Sequence, residues 1–166
     1  MALQLTSPAF RNGERIPDRY TCVGEDMSPP LQWSGVPSGT ESFAVLCDDP
    51  DAPGGTFHHW ALFDLPAAQT EIHDGYAMEA HVAEVGPAVA IGTVRTVRQA
   101  TNDFGNAFWG GPCPPPGHGT HRYHFRLLAL DVDRLEVGDA PDCAAVAAAA
   151  RPHALEEAEL VGTYSR

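Results

Sequence analysis

Proline and glycine punctuate this chain so densely that turns and loops must take up much of it. They number 15 and 16 among 166 residues, and both interrupt helices and strand interiors. The densest cluster is "GPCPPPGHGTHRYHF", Gly111 to Phe125. It begins with residues that form neither helix nor strand and ends in an alternating polar and apolar segment. Proline fixes φ, and glycine lets backbone approach a ligand closely. The expectation is a stiff loop delivering a chemically capable strand.

The longer alternating or apolar runs read as strands. "SFAVLCDD" (Ser42 to Asp49) stops at an Asp-Pro turn signal, and "HHWALFDLP" (His58 to Pro66) stops at Pro66. "HRYHFRLLALD" (His121 to Asp131) is the longest candidate, and "LVGTYSR" offers a short closing strand. "CAAVAAAA" (Cys143 to Ala150) predicts a helix capped by Asp142 and ended at Arg151-Pro152. "PHALEEAEL" predicts a second helix with Pro152 in its first turn and Gly162 closing it. The stretch from His73 to Thr101 reads as irregular, and "IGTVRTVRQ" as strand or exposed loop. The length fits one domain, residues 1–166, mainly β with antiparallel sheet.

The formal charge is −12, and all ten basic residues are arginines. Such a surface repels phosphate backbones and anionic membranes, so nucleic acid is excluded as a general partner. No apolar run is long enough to span a bilayer, and no secretory signal is visible, so a cytoplasmic location is expected. The cysteines, Cys22, Cys47, Cys113 and Cys143, match no paired metal-ligand spacing. Free thiols are the default reading, with a disulfide as the alternative.

Side chains alternate across a strand, so residues two apart share a face. His121 and Tyr123 then point one way with Phe125 and Leu127, and Arg122, His124 and Arg126 point the other. Phe43, Val45, Cys47 and Asp49 share a face, with Asp49 at the strand's end. His59 falls on a face with Ala61 and Phe63. Three strands thus each offer a polar group at one end with apolar residues behind it. That arrangement suits a small apolar cavity holding a few convergent polar groups. The candidate ligand-binding set is Asp49, His59, His121 and Tyr123. Two imidazoles and a phenol would supply donors to a phosphate or carboxylate oxygen, and Asp49 would hold an imidazole in one tautomer or meet a cationic amine. Each residue also has a plain reading: a satisfied strand-end histidine, or Asp49-Pro50-Asp51 as a turn.

Other chemistries fit less well. If the strands are regular, His58 and His59 face opposite ways, as do His121 and His124. No metal-ligand cluster occurs, so no metal or other cofactor is expected. Cys113 lies between prolines, away from any helix N-terminus that would activate it. No G-x-S-x-G is present. The reading is a binding protein, not an enzyme. A small hydrolase using Asp49 and His121 on water ranks last.

The pieces "YTCVGEDMSPPLQWSGVP", "DDPDAPGG", "HHWALFDLP", "NDFGNAFWGGPCPPPG", "HRYHFRLLALD" and "AELVGTYSR" together resemble the phosphatidylethanolamine-binding protein (Raf kinase inhibitor-like) family, in its bacterial and archaeal branch. The resemblance implies a large central antiparallel sheet, a smaller second sheet and a few short helices, two of them near the C-terminus. It implies a pocket for anions such as phosphate, acetate, cacodylate or a phospholipid head group. It assigns that pocket Asp49, His59, His121 and Tyr123, with Gly111, Pro112, Pro114 and Pro115 as its wall. His118 is an extra residue that could reach the ligand, and Trp60 is core or pocket wall. The resemblance also implies a homodimer, for which no stripe is visible. The alternative function is inhibition of a protease or kinase partner through surface loops. The phosphorylation-controlled inhibition of animal relatives is not carried over.

Overall fold

The computed structural model describes residues 2–85 and 97–166. In chain order come β1 (Gln4–Thr6), β2 (Leu31–Ser34), β3 (Ser42–Asp49), β4 (Phe57–Pro66), β5 (Glu71–Ile72) and α1 (Tyr76–Val85). Then follow β6 (Arg98–Gln99), β7 (His121–Leu130), α2 (Cys143–Ala150) and β8 (Ala154–Tyr164). The larger sheet has five strands in the order β6-β4-β3-β7-β8, and the smaller has three in the order β1-β2-β5. Every named strand pair is antiparallel. The expected architecture is therefore the one observed.

The centre of the large sheet explains its own sequence. β3 is buried at all eight positions, because both of its faces are covered. Phe43, Val45 and Cys47 join Leu5, Leu31 and Trp33 of the small sheet in one core cluster. Ala44 and Leu46 join Ala61, Phe63, Leu128 and Leu130 under Val146 and Ala150 of α2. A strand buried on both faces reads as a continuous apolar run rather than an alternation. Helix α2 starts where expected, with Asp142 Oδ1 accepting from Ala145 N at 2.8 Å.

Two expectations change. The second C-terminal helix is only a single 3-10 turn, Arg151–His153, and the chain then runs as β8 for eleven residues. Alanine, leucine and glutamate favour a helix locally. The pairing of β8 along the whole of β7, from His121↔Tyr164 to Leu130↔Ala154, outweighs that preference. Its second half carries the period-two signal, with Ala158, Leu160, Gly162 and Tyr164 buried. The supposedly irregular stretch after His73 contains α1 and β6. Most of "IGTVRTVRQ" lies outside the described residues, and its end forms β6. Among the described residues, no helix is long and apolar enough to cross a membrane.

Leu127 sits in the middle of β7 and is fully buried between β3 and β8. Leu127→Ala should lower unfolding stability by about 2–5 kcal/mol, the cost of lost transfer energy plus a cavity. Urea titration should show a lower midpoint with an unchanged slope.

Candidate functional site

Asp49, His59, His121 and Tyr123 are brought together around one cavity of about 170 Å³. Each is at most 3% exposed. His121 Nδ1 donates to Asp49 Oδ2 at 2.6 Å. His59 Nδ1 donates to the Gly110 carbonyl at 2.6 Å. The rings of His59 and Tyr123 meet edge to face, with centroids 5.2 Å apart, and His121 stacks along Tyr123 at 6.5 Å.

His59 arrives by a route that alternation misses. The β3–β4 register runs Cys47↔Trp60 and then Asp48↔His58, which leaves His59 without an opposing residue. The extra residue is a β-bulge, a device that re-aims a side chain. Ala61 and Phe63 face the cluster beneath α2, whereas Trp60 lies in the cluster between the sheets. His59 therefore does not share the face of Ala61 and Phe63. It turns into the cavity alongside Phe57.

The Asp49 motif is both a turn and part of the site. Asp49 Oδ1 accepts from Asp51 N at 2.8 Å, closing the turn, while Oδ2 holds His121. Asp51 in turn clamps Arg122 with both carboxylate oxygens, each at 2.9 Å. Arg122 thus has the structural role its outward position suggests.

The rim divides in two. Pro114 and Pro115 line the cavity, together with Cys113. Gly111 and Pro112, assigned to the wall, instead anchor the rim from behind. Gly111 N donates to Asp26 Oδ1 at 2.9 Å, and Cys22 N donates to the Pro112 carbonyl at 3.2 Å. A Cβ on Gly111 would lie 2.2 Å from Asp26 Oδ1 and 2.3 Å from the Tyr20 carbonyl, so only glycine fits. Cys22 and Cys113 form a disulfide, with Cα atoms 5.4 Å apart. That corrects the free-thiol default for these two, and it removes Cys113 as a nucleophile. Cys47 and Cys143 are buried thiols.

Trp60 is not wall but core, donating from Nε1 to Gln99 Oε1 at 2.7 Å. His118 is exposed and outside the cavity lining, yet its Nδ1 lies 2.7 Å from His121 Nε2. Phe57, Phe104, Ala52 and Pro53 complete the lining and were not among the expected residues. Phe57 precedes His59 by two residues, so counting back one step would have found it. Phe104 comes from a loop, pinned where Asn102 Nδ2 donates to the His59 carbonyl at 3.1 Å. No sequence period encodes that.

Burial holds the His59 imidazole down to about 4, against the pull of the Gly110 carbonyl and Asp49. Burial likewise pushes the Tyr123 phenol up, so it keeps its proton. Hydrogen bonds from Arg122 hold Asp51 down to about 2. Among the described residues, no group of three or more histidine, cysteine or acidic side chains is arranged to hold a metal ion.

Comparison with known proteins follows the same outline. The family model described as phosphatidylethanolamine-binding protein matches residues 6–165. A UPF0098 protein of Methanothermobacter thermautotrophicus is 44% identical over 165 residues, covering 99% of each chain. One from Aquifex aeolicus is 40% identical over 164 residues, covering 99% of this chain and 89% of its own. The crystal structure of E. coli YbcL, described as a new member of the mammalian PEBP family, matches with a TM-score of 0.87 at 32% identity. It covers 100% of this chain and 99% of that one.

A neutral buried His59 makes stability depend on pH. In the unfolded chain the ring binds a proton near 6.5, and in the folded chain only near 4. Its contribution is complete above about 6.5 and is lost as pH falls through 4, a span worth on the order of 3 kcal/mol. Denaturant titrations between these limits should show stability falling with pH, and His59→Gln should flatten that slope by about one proton.

The disulfide should be measurable directly. Unfolded protein without reductant should expose two thiols, Cys47 and Cys143, and reduction should raise the count to four. The bond spans 91 residues of sequence. Its reduction should cost about 2–4 kcal/mol of unfolding stability by denaturant titration.

Proposed function

The chain belongs to the phosphatidylethanolamine-binding protein family, and from that membership and the cavity at Asp49 we propose a non-enzymatic binding protein whose pocket takes a small anion or phosphorylated head group. The observation that carries the reading is four buried polar side chains meeting at an open hollow of about 170 Å³. Buried polar groups are normally consumed by partners within the fold. Asp49, His59 and His121 have such partners and, together with Tyr123, also border free space. Apolar walls from Phe57, Phe104 and the prolines bury the body of a small ligand, and the polar groups orient its head.

Binding rather than turnover is favoured by what the polar groups already do. Cys113 is tied to Cys22, and His121 spends both ring nitrogens on Asp49 and His118. Neither is poised to attack a substrate or activate a water. Location is part of the proposal. It is the cytoplasm, as expected from the residues. The Cys22–Cys113 bond and the Gly111–Asp26 and Pro112–Cys22 hydrogen bonds together hold the rim.

Titration with phosphoethanolamine, followed by NMR of the imidazole protons, tests the reading. Resonances of His59 and His121 should move together and saturate, while half-buried His153, paired with Asp131 outside the lining, stays fixed. If neither ring responds at millimolar ligand, the pocket is not a binding site for this class. Tyr123→Phe should weaken binding about fivefold or more, by deleting a buried donor.

A further inference from the structure

The polar groups of the cavity are short of hydrogen-bond donors. A carbonyl oxygen can only accept, so the proton on His59 sits at Nδ1, against Gly110. Nε2 of that neutral ring is then a bare acceptor. On His121, Nδ1–H is spent on the Asp49 carboxylate, and Nε2 faces His118 at 2.7 Å. Neither imidazole therefore has an N–H to offer a ligand. Three of the lining residues, Pro53, Pro114 and Pro115, have no backbone N–H. The Tyr123 hydroxyl remains as a donor. Asp49 adds a carboxylate, which can only accept while ionised and repels negative charge.

A fully ionised oxyanion fits this set badly. It would leave His59 Nε2 unpaired and press charge against Asp49. A singly charged phosphate bearing one P–OH fits both ends. Its hydroxyl donates to His59 Nε2, and an ionised oxygen accepts from Tyr123. Two molecules that share the phosphoryl group could bring it: a small soluble ester or a lipid head group. The net charge of −12 opposes approach to an anionic bilayer, and a hollow of about 170 Å³ suits a small body.

Resting on the pocket reading above, we propose that the site selects small soluble phosphomonoesters in their monoanionic form, with His59 Nε2 accepting the P–OH proton and Tyr123 donating to an ionised oxygen. Burial that keeps His59 neutral is consistent with this role.

Methyl phosphate and methyl sulfate test it. A phosphomonoester loses its second proton near pH 6. At about pH 5 both probes are therefore monoanions, and only the phosphate carries an O–H. Calorimetric titration should show methyl phosphate binding about tenfold tighter or more, the cost of leaving a buried acceptor unpaired. At about pH 8 the phosphate has lost its O–H, and its advantage over methyl sulfate should disappear. His59→Phe should abolish the preference at the lower pH. The pH arm stands without any variant, should that one fail to fold.

Equal affinity for the two probes at the lower pH would overturn the selection and leave the pocket intact. Failure of both probes to bind at millimolar concentration would overturn the pocket reading itself. Phosphatidylcholine vesicles containing phosphatidate should not displace methyl phosphate. Displacement would overturn the assignment to a soluble ligand.

Discussion

The 2.6 Å hydrogen bond between Asp49 and His121 holds the site open. The backbone ladder between β3 and β7 ends at Asp48↔His124. Beyond that pair the strands are joined by side chains, and the hollow opens where the ladder stops. A carboxylate only 3% exposed is costly to leave without partners. Asp49 meets that cost with two donors, the His121 ring and the Asp51 amide. Both come from beyond the ladder, so the carboxylate fixes the end of β3, the turn after it and the start of β7 together. The Asp51–Arg122 pair reinforces the same junction from its outer side.

Much of this was legible because period two is a strict rule wherever a face is buried. Ser42–Asp49 and His121–Leu130 appear as strands at or within one residue of the boundaries read from the residues, and their inward faces match. The rule fails at His59 for a physical reason. A bulge inserts one residue and changes the face of everything after it. Alternation marks the histidine but wrongly puts Ala61 and Phe63 on its face. β8 shows the opposite failure. Its composition suits a helix, and only the full length of pairing with β7 outweighs that local preference.

The rim combines both kinds of information. Its stiffness is written in the run from Gly111 to Pro116, since proline leaves little freedom to lose when a ligand binds. Its attachment is not written there. Cys22 precedes Cys113 by 91 residues, and cysteine spacing alone does not specify a partner. Asp26, in the left-handed region at φ 57°, accepts the Gly111 amide, and no periodic pattern announces it. Wall residues were thus predictable as a group. Which of them face the cavity and which face the anchor depends on contacts distant in sequence.

The chain has no lysine, and among the described residues three arginines of the surrounding strands and terminus are committed elsewhere: Arg122 to Asp51, Arg126 to Asp48 and Glu159, Arg166 to the Pro114 carbonyl. The lining among the described residues holds no guanidinium fork to offset the dehydration of an anion, and the net charge supplies no long-range attraction. What remains is hydrogen bonding in a largely apolar hollow beside Asp49, where each unmatched donor or acceptor counts heavily. In such a place a ligand is sorted less by its total charge than by where its protons sit. A pocket built from neutral imidazole, phenol and proline is physically suited to that distinction.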